Sequence, residues 1–317
     1  MRMTIRGRVA GFAGPIHDRL IVYAAVAVAA GLLLPNVAAR LAGGVPYMLG
    51  GQVLGVALTL TLGRFAAVAR RPLPVLLALA AQWTVLPLAG VALFNVISDP
   101  TLRNGSLIVA VAPAEITSAL VALLAAGSGA VAITCMAGSL ALGTVLTPLW
   151  VSAVLGPAAH VDRLALIAEL TLSVAVPLVV GVGLRTWWPG LHALRSRALD
   201  LSAVCVVLVV FVSVGSARAF VLSASLLPCI GLCAVLLVIG YGLGLALAWP
   251  WRHHAHLWRA LVFPVGMREF GIAAAVALAV SPGAVGVAGV YGAMLMTTAP
   301  TLARRLRPVH VDPGSVG

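Results

Sequence analysis

At 317 residues the chain is long enough for two soluble domains, but 62% hydrophobic and 9% charged residues with a mean hydropathy of +1.12 exclude a water-soluble fold and point to a polytopic membrane protein. Cys135, Cys205, Cys229 and Cys233 all lie in apolar stretches, which excludes a secreted disulfide scaffold, and apolar runs that are continuous rather than alternating exclude a β-barrel. A formal charge of +12 would suggest nucleic acid in a soluble protein, yet the basic residues are all arginine and are scattered through short segments between apolar runs, so no nucleic-acid partner is expected.

About 20 apolar residues cross a bilayer as a helix. Ten such segments are predicted, at 20–39, 46–69, 73–97, 105–126, 129–155, 164–184, 199–217, 222–249, 258–281 and 284–303. They make one polytopic membrane transporter domain over 1–317, all-α, with a first repeat at about 20–155 and a second at about 164–303. The basic N-terminus resembles a signal peptide, but more membrane follows it rather than an exported domain, so it reads as the lead-in to the first span.

With the N-terminus inside, the cytoplasmic arginines are Arg2, Arg6, Arg8, Arg19, Arg64, Arg70, Arg71, Arg185, Arg195, Arg197, Arg252, Arg259, Arg304, Arg305 and Arg307; outside are Arg40, Arg103, Arg163 and Arg218. That asymmetry places both termini in the cytoplasm. Arg268 belongs to neither side.

The fourth segment carries VAPAEITSALVALLAAG (Val111 to Gly127) and the ninth VFPVGMREFGIAAAVAL (Val262 to Leu278), with Pro113 and Pro264 at the same relative place. Each proline removes a backbone donor and perturbs its helix near mid-span. Ten spans split into two fives, and an odd number per repeat inverts the second copy. Discontinuous helices at matching places in inverted halves mark a transporter's binding site. Prolines are common in membrane helices, as Pro87, Pro177, Pro228 and Pro300 illustrate. Charge sets the two breaks apart: Glu115 follows Pro113, and Arg268 with Glu269 follows Pro264. Intramembrane charges normally face a cavity or a partner. A salt bridge between Glu115 and Arg268 that merely pins the broken helices is the plainer explanation. Half-helix N-termini at the breaks also favour anions. Glu169 and Asp200 are weaker candidates near an interface.

These residues resemble the bile acid/sodium symporter family. RRPLPVLLALAAQWTVLPLAGVAL (Arg70 to Leu93), PAEITSALVALLAAGSGAVAITCMAGSLALGTVLTPLW (Pro113 to Trp150) and FPVGMREFGIAAAVAL are similar, in order, to that family's segment between spans 2 and 3, its PGGTASN-type fourth span with the TP ending of the fifth, and its EVGMQNSGLA-type ninth span. The resemblance implies a ten-helix inverted repeat with a panel of spans 1, 2, 6 and 7, a core with broken crossing helices 4 and 9, and transport by alternating access. It also implies two sodium ions held by oxygens of spans 3, 4, 5 and 9. Gln82, Ser118 and the backbone of Met267 match those positions, with Thr117 beside them. The rest departs: Ala119, Ala132, Met136 and Pro264 stand where the family has side-chain oxygens, Arg268 replaces a glutamine and Glu269 an asparagine.

An arginine stays protonated and presents five donors. Arg268 is therefore expected to stand in for a sodium ion, organising Glu115 or Glu269 or meeting an anionic substrate. No cofactor is expected; sodium coupling is disfavoured, and a proton on a carboxylate is the alternative. The partners expected are a small organic anion, amphipathic by the resemblance, and the lipid bilayer.

Two other functions compete. Arsenite or another oxyanion efflux carrier shares the architecture, but such chemistry relies on a cysteine in the fourth span, which has none. A non-transporting sensor fits the lost sodium positions but not the new charges. Cys229 and Cys233 at i, i+4 make a poor soft-metal site and read as small buried residues. Arg252, His253, His254 and His256 have no acidic partner for zinc or acid–base chemistry, so no enzyme and no metal site is expected. That segment reads as a cytoplasmic surface near lipid headgroups, and Trp187, Trp188, Trp249, Trp251 and Trp258 mark the same interface. Abundant alanine, valine and arginine without lysine suggests a GC-rich genome and the plasma membrane of a bacterium.

Overall fold

Local backbone chemistry divides the apolar runs more finely than hydropathy does. The computed structural model describes residues 20–69, 72–156 and 162–307; Arg2, Arg6, Arg8, Arg19, Arg70 and Arg71 of the charge asymmetry lie outside the described residues. Segment 20–39 is not one rod but two helices, α1 (Leu20–Leu33) and α2 (Pro35–Leu41). Pro35 has no N–H for the carbonyl four residues back, and the chain bends by 105° there. Segment 46–69 likewise forms α3 (Val45–Ala57) and α4 (Leu62–Ala69). The helix stops because Thr59 and Leu60 donate to the carbonyls three residues back, both at 2.9 Å, a tightening typical of helix ends.

Next come α5 (Leu73–Val96), α6 (Pro100–Ala110), α7 (Ser118–Leu124) and α8 (Gly129–Leu155). Asp99 caps α6 by accepting from the N–H groups of Thr101 and Leu102 at 2.8 and 3.0 Å, with Pro100 at the first helical position. α9 (Arg163–Leu170) runs through a five-residue π turn, Thr171–Ala175, into α10 (Val176–Trp187). The chain ends in α11 (Arg195–Ser216), α12 (Arg218–Val221), α13 (Leu226–Ala248), α14 (Ala255–Gly266), α15 (Phe270–Val280) and α16 (Val285–Leu306).

Among the described residues six rods are long and apolar enough to cross a membrane, Leu73–Val96, Gly129–Leu155, Arg163–Trp187, Arg195–Ser216, Leu226–Trp251 and Pro282–Leu306, with a seventh if the bent pair at Leu33 counts as one span. The protein is a multi-pass, all-α membrane protein. The expected segments 20–39, 46–69, 105–126 and 258–281 are each a pair of shorter helices.

α11 packs along α1, α2 and α3, and α10 along α3. A second group holds α5 against α6 and α8, α7 against α8 and α14, α13 against α14 and α16, and α15 against α16. Contacts of α11 and α3 with α15, and of α11 with α16, join the two groups. α13 approaches α14 backbone to backbone: a Cβ on Gly240 or Gly244 would run into the carbonyl of Gly266 or Val262, the small-residue packing that helices in lipid favour.

Candidate functional site

Two helix breaks face each other in the middle of the second group. α6 ends at Ala110 and α7 begins at Ser118; α14 ends at Gly266 and α15 begins at Phe270. Both breaks come after runs of buried apolar residues, so their free backbone groups must find partners inside the protein. They find each other. The Glu115 N–H donates to the Met267 carbonyl at 3.0 Å and the Glu269 N–H to the Pro113 carbonyl at 2.9 Å, pairing Ala114 with Arg268 as an isolated antiparallel bridge. Neighbouring helices supply the rest: Ser139 Oγ accepts from the Ala114 N–H at 2.9 Å, the Thr147 hydroxyl donates to Val111 O at 2.7 Å, and the Tyr291 hydroxyl accepts from the Arg268 N–H at 3.2 Å.

Three charged side chains sit at this junction, all buried; Arg268 is 3% exposed and Glu115 and Glu269 are 0%. Among the described residues the Arg268 guanidinium reaches no carboxylate. Its Nη1 donates to Ala112 O at 3.1 Å, and its Nη2 to Val265 O at 2.7 Å and Pro264 O at 3.3 Å. These carbonyls lie at the C-terminal ends of α6 and α14, where unpaired oxygens and the helix dipole call for positive charge. The expected Glu115–Arg268 salt bridge is therefore replaced by a cation seated on backbone oxygens. The Gln82 amide, from α5, also donates to Pro264 O.

The carboxylates take the complementary places. Glu269 caps α15, its Oε1 accepting from the Gly271 N–H at 3.2 Å and from Gln52 Nε2 of α3 at 3.4 Å, while its Oε2 accepts from the Ile116 N–H at 2.9 Å. Glu115 Oε1 accepts from the Thr117 hydroxyl and N–H at 3.2 and 3.4 Å. Glu115 lies close to Glu269, yet its Oε2 receives no donor. Each charge thus sits where the backbone has the opposite partial charge.

The candidates Gln82, Glu115, Thr117, Ser118, Met267, Arg268 and Glu269 come together at this junction with Pro113 and Pro264. Ser118 Oγ and Gln82 Oε1 are buried there without a partner. Gln52, Ser139, Thr147 and Tyr291 complete the junction and were not anticipated. Gln52 alone carried a signal, as an amide inside a charge-free apolar run. Glu169 lies elsewhere, in a recess against α3.

Beside the junction, α1, α11 and α16 line a partly open apolar cavity of about 390 Å³. Phe270, the residue after Glu269, forms part of its wall, as do Ser213, Gly289 and Thr297.

Comparison with known proteins accords with this arrangement. Residues 46–225, more than half of the chain, match the profile described as the sodium bile acid symporter family. The chain is 26% identical to an uncharacterized sodium-dependent transporter, YocS, of Bacillus subtilis (strain 168), over 87% of this chain and 86% of that one. It is also 26% identical to a probable chloroplastic sodium/metabolite cotransporter, BASS3, of Arabidopsis thaliana, over 61% of this chain but only 46% of the relative. Against a chloroplastic BASS1 of Oryza sativa subsp. japonica it is 28% identical, over 50% of this chain and 39% of that one. The chain thus spans less than half the length of these two plant relatives. With the profile match and the paired helix breaks together, the chain belongs to the sodium bile acid symporter family and is a membrane transporter, not an enzyme.

Proposed function

We propose that the protein is a secondary transporter of a small organic anion, working by alternating access without conventional sodium coupling. The observation that carries this reading is the seat of Arg268. Its guanidinium occupies the carbonyls of Ala112, Pro264 and Val265, and the Met267 carbonyl is engaged by the Glu115 N–H. A sodium ion needs a nearly complete cage of oxygens, and the buried Ala119, Ala132 and Met136 offer no side-chain oxygen. The relatives' names specify sodium; in this chain a fixed cation takes that place, and a proton on the Glu115–Glu269 pair is the coupling ion that the carboxyl contact favours.

An inverted ten-span repeat is supported by matching order in the two halves: α5, the broken α6–α7 and α8 correspond to α13, the broken α14–α15 and α16, and the two breaks pair antiparallel. The group around α1, α3, α10 and α11 corresponds to a panel moving against the core that holds the junction. The apolar cavity between them suits the body of an amphipathic anion. Arginine asymmetry favours cytoplasmic termini in a bacterial plasma membrane.

The test is uptake into proteoliposomes of a panel of organic anions under separately imposed sodium and proton gradients. Uptake driven by the proton gradient and indifferent to sodium supports the reading. Saturable stimulation by sodium but not potassium at fixed pH overturns it.

A further inference from the structure

A third carboxylate, in another membrane-crossing rod, stands apart from the junction. Glu169 is the penultimate residue of α9, inside the membrane-crossing rod Arg163–Trp187. Among the described residues no hydrogen bond or ion pair reaches its carboxylate; only its backbone carbonyl is engaged, by the Ser173 hydroxyl at 2.7 Å. A carboxylate with no side-chain partner in a membrane-crossing rod is a candidate for a functional site.

The backbone is shaped around it. The π turn Thr171–Ala175 begins two residues after Glu169, with the Val176 N–H donating to the Thr171 carbonyl. Such turns are rare and concentrate at functional sites. Here the turn helps form a recess of about 330 Å³ lined by Glu169, Leu172 and Ser173 on one side and by Gly43, just before α3, with Pro46 and Tyr47 of α3 on the other. A Cβ on Gly43 would meet nothing within 4 Å, so the recess is open there.

The walls select the class of ligand. Anions are repelled by Glu169, and a neutral apolar occupant leaves its charge unmet. A divalent metal needs several oxygen, nitrogen or sulfur ligands, whereas no group of three or more His, Cys, Asp or Glu residues occurs among the described residues. An ammonium group fits. The carboxylate supplies the counter-charge, the Tyr47 ring adds cation–π attraction, and Pro46 with Leu172 covers the attached carbons. We infer that the recess at Glu169 binds an ammonium group, carried either by a lipid headgroup or by a free amine. Leu164 and Leu172, 77% and 69% exposed, leave this part of the rod open to lipid, so a headgroup can enter sideways.

The experiment uses the full chain in phosphatidylglycerol nanodiscs and follows thermal unfolding in two arms. One adds choline chloride against potassium chloride; the other replaces part of the lipid with phosphatidylethanolamine. Stabilisation by choline identifies a free-amine site, and stabilisation only by phosphatidylethanolamine identifies a headgroup site. In either case Glu169→Gln is expected to weaken binding at least about tenfold, equivalent to about 1.4 kcal/mol, and Gly43→Leu, which adds bulk at the edge of the recess where a Cβ meets nothing within 4 Å, is expected to weaken it as well. No shift in either arm, or a full shift retained in Glu169→Gln, overturns the inference.

Discussion

The guanidinium of Arg268 donates to the carbonyl of Ala112 at 3.1 Å, tying the end of α6 to the break that follows α14. The same side chain holds the carbonyls of Pro264 and Val265, so one fixed positive charge serves the C-terminal ends of two half-helices. Mirror logic places Glu269 at the start of α15. The crossing is therefore organised by matching side-chain charge to backbone dipoles rather than by ion pairing between side chains.

Removing that charge exposes what it replaces. Arg268→Ala takes a donor from three buried carbonyls, Pro264 O keeping the Gln82 amide, so it is expected to cost several kcal/mol and to abolish anion uptake. In the variant those carbonyls become free to bind a small cation. Sodium is expected to raise its thermal stability more than potassium does, while the wild type is indifferent between them. Wild-type uptake at full rate in Arg268→Ala would reduce the arginine to a structural brace.

The two carboxyls should respond differently to amidation. Glu269 accepts from three donors on both of its oxygens, so Glu269→Gln sets an amide N–H₂ against a donor and is expected to cost about 1–3 kcal/mol. Glu115 Oε2 receives no donor, and an amide there can donate to Glu269. Glu115→Gln is expected to fold with a loss below about 1 kcal/mol and to lose the pH dependence of uptake while retaining some transport. Thermal unfolding with uptake across a pH series checks both. Greater destabilisation by Glu115→Gln than by Glu269→Gln would overturn this difference between the two carboxyls.

Packing between α13 and α14 gives a third expectation. Gly240→Val and Gly244→Val each push a side chain into a carbonyl of α14. Overpacking of this kind costs about 1–3 kcal/mol, and because α14 leads directly into the Arg268 break, uptake should fall along with the unfolding temperature. By contrast Gly242, where a Cβ meets nothing within 4 Å, should accept the same substitution without loss of either.

Much of this was legible in the sequence for physical reasons. Glu115, Arg268 and Glu269 beside Pro113 and Pro264 predicted where two helices break, since charge is expensive in a span unless the backbone opens to meet it. Proline alone is a poor guide: Pro87, Pro148 and Pro300 all lie inside continuous helices. Other features were hidden. The break between α3 and α4 occurs at Leu58 to Thr61, a stretch without proline or charge, where tertiary packing overrides hydropathy. The partners of Arg268 could not be read either, because carbonyls carry no side-chain signature. Ser139, Thr147 and Tyr291 look like ordinary polar residues of membrane helices until the fold brings them to the breaks.

The apolar cavity offers a direct test of where the substrate sits. A Cβ on Gly289 would meet only Ser213 Cβ, at 3.9 Å, so Gly289→Leu extends into the space of about 390 Å³ between α1, α11 and α16 without striking backbone. Burying its methyl groups against Val210, Val214 and Met296 should leave stability unchanged or slightly raised. Uptake of bulky organic anions is expected to fall about tenfold or more, and small anions should suffer less. Gly292→Leu is the contrast, since its Cβ meets the Phe270 ring at 2.6 Å and the residue after Glu269 would have to move. That variant should lose stability and transport together. If Gly289→Leu transports every anion of the panel at the wild-type rate, the substrate binds elsewhere and the cavity is only a gap between the two helix groups.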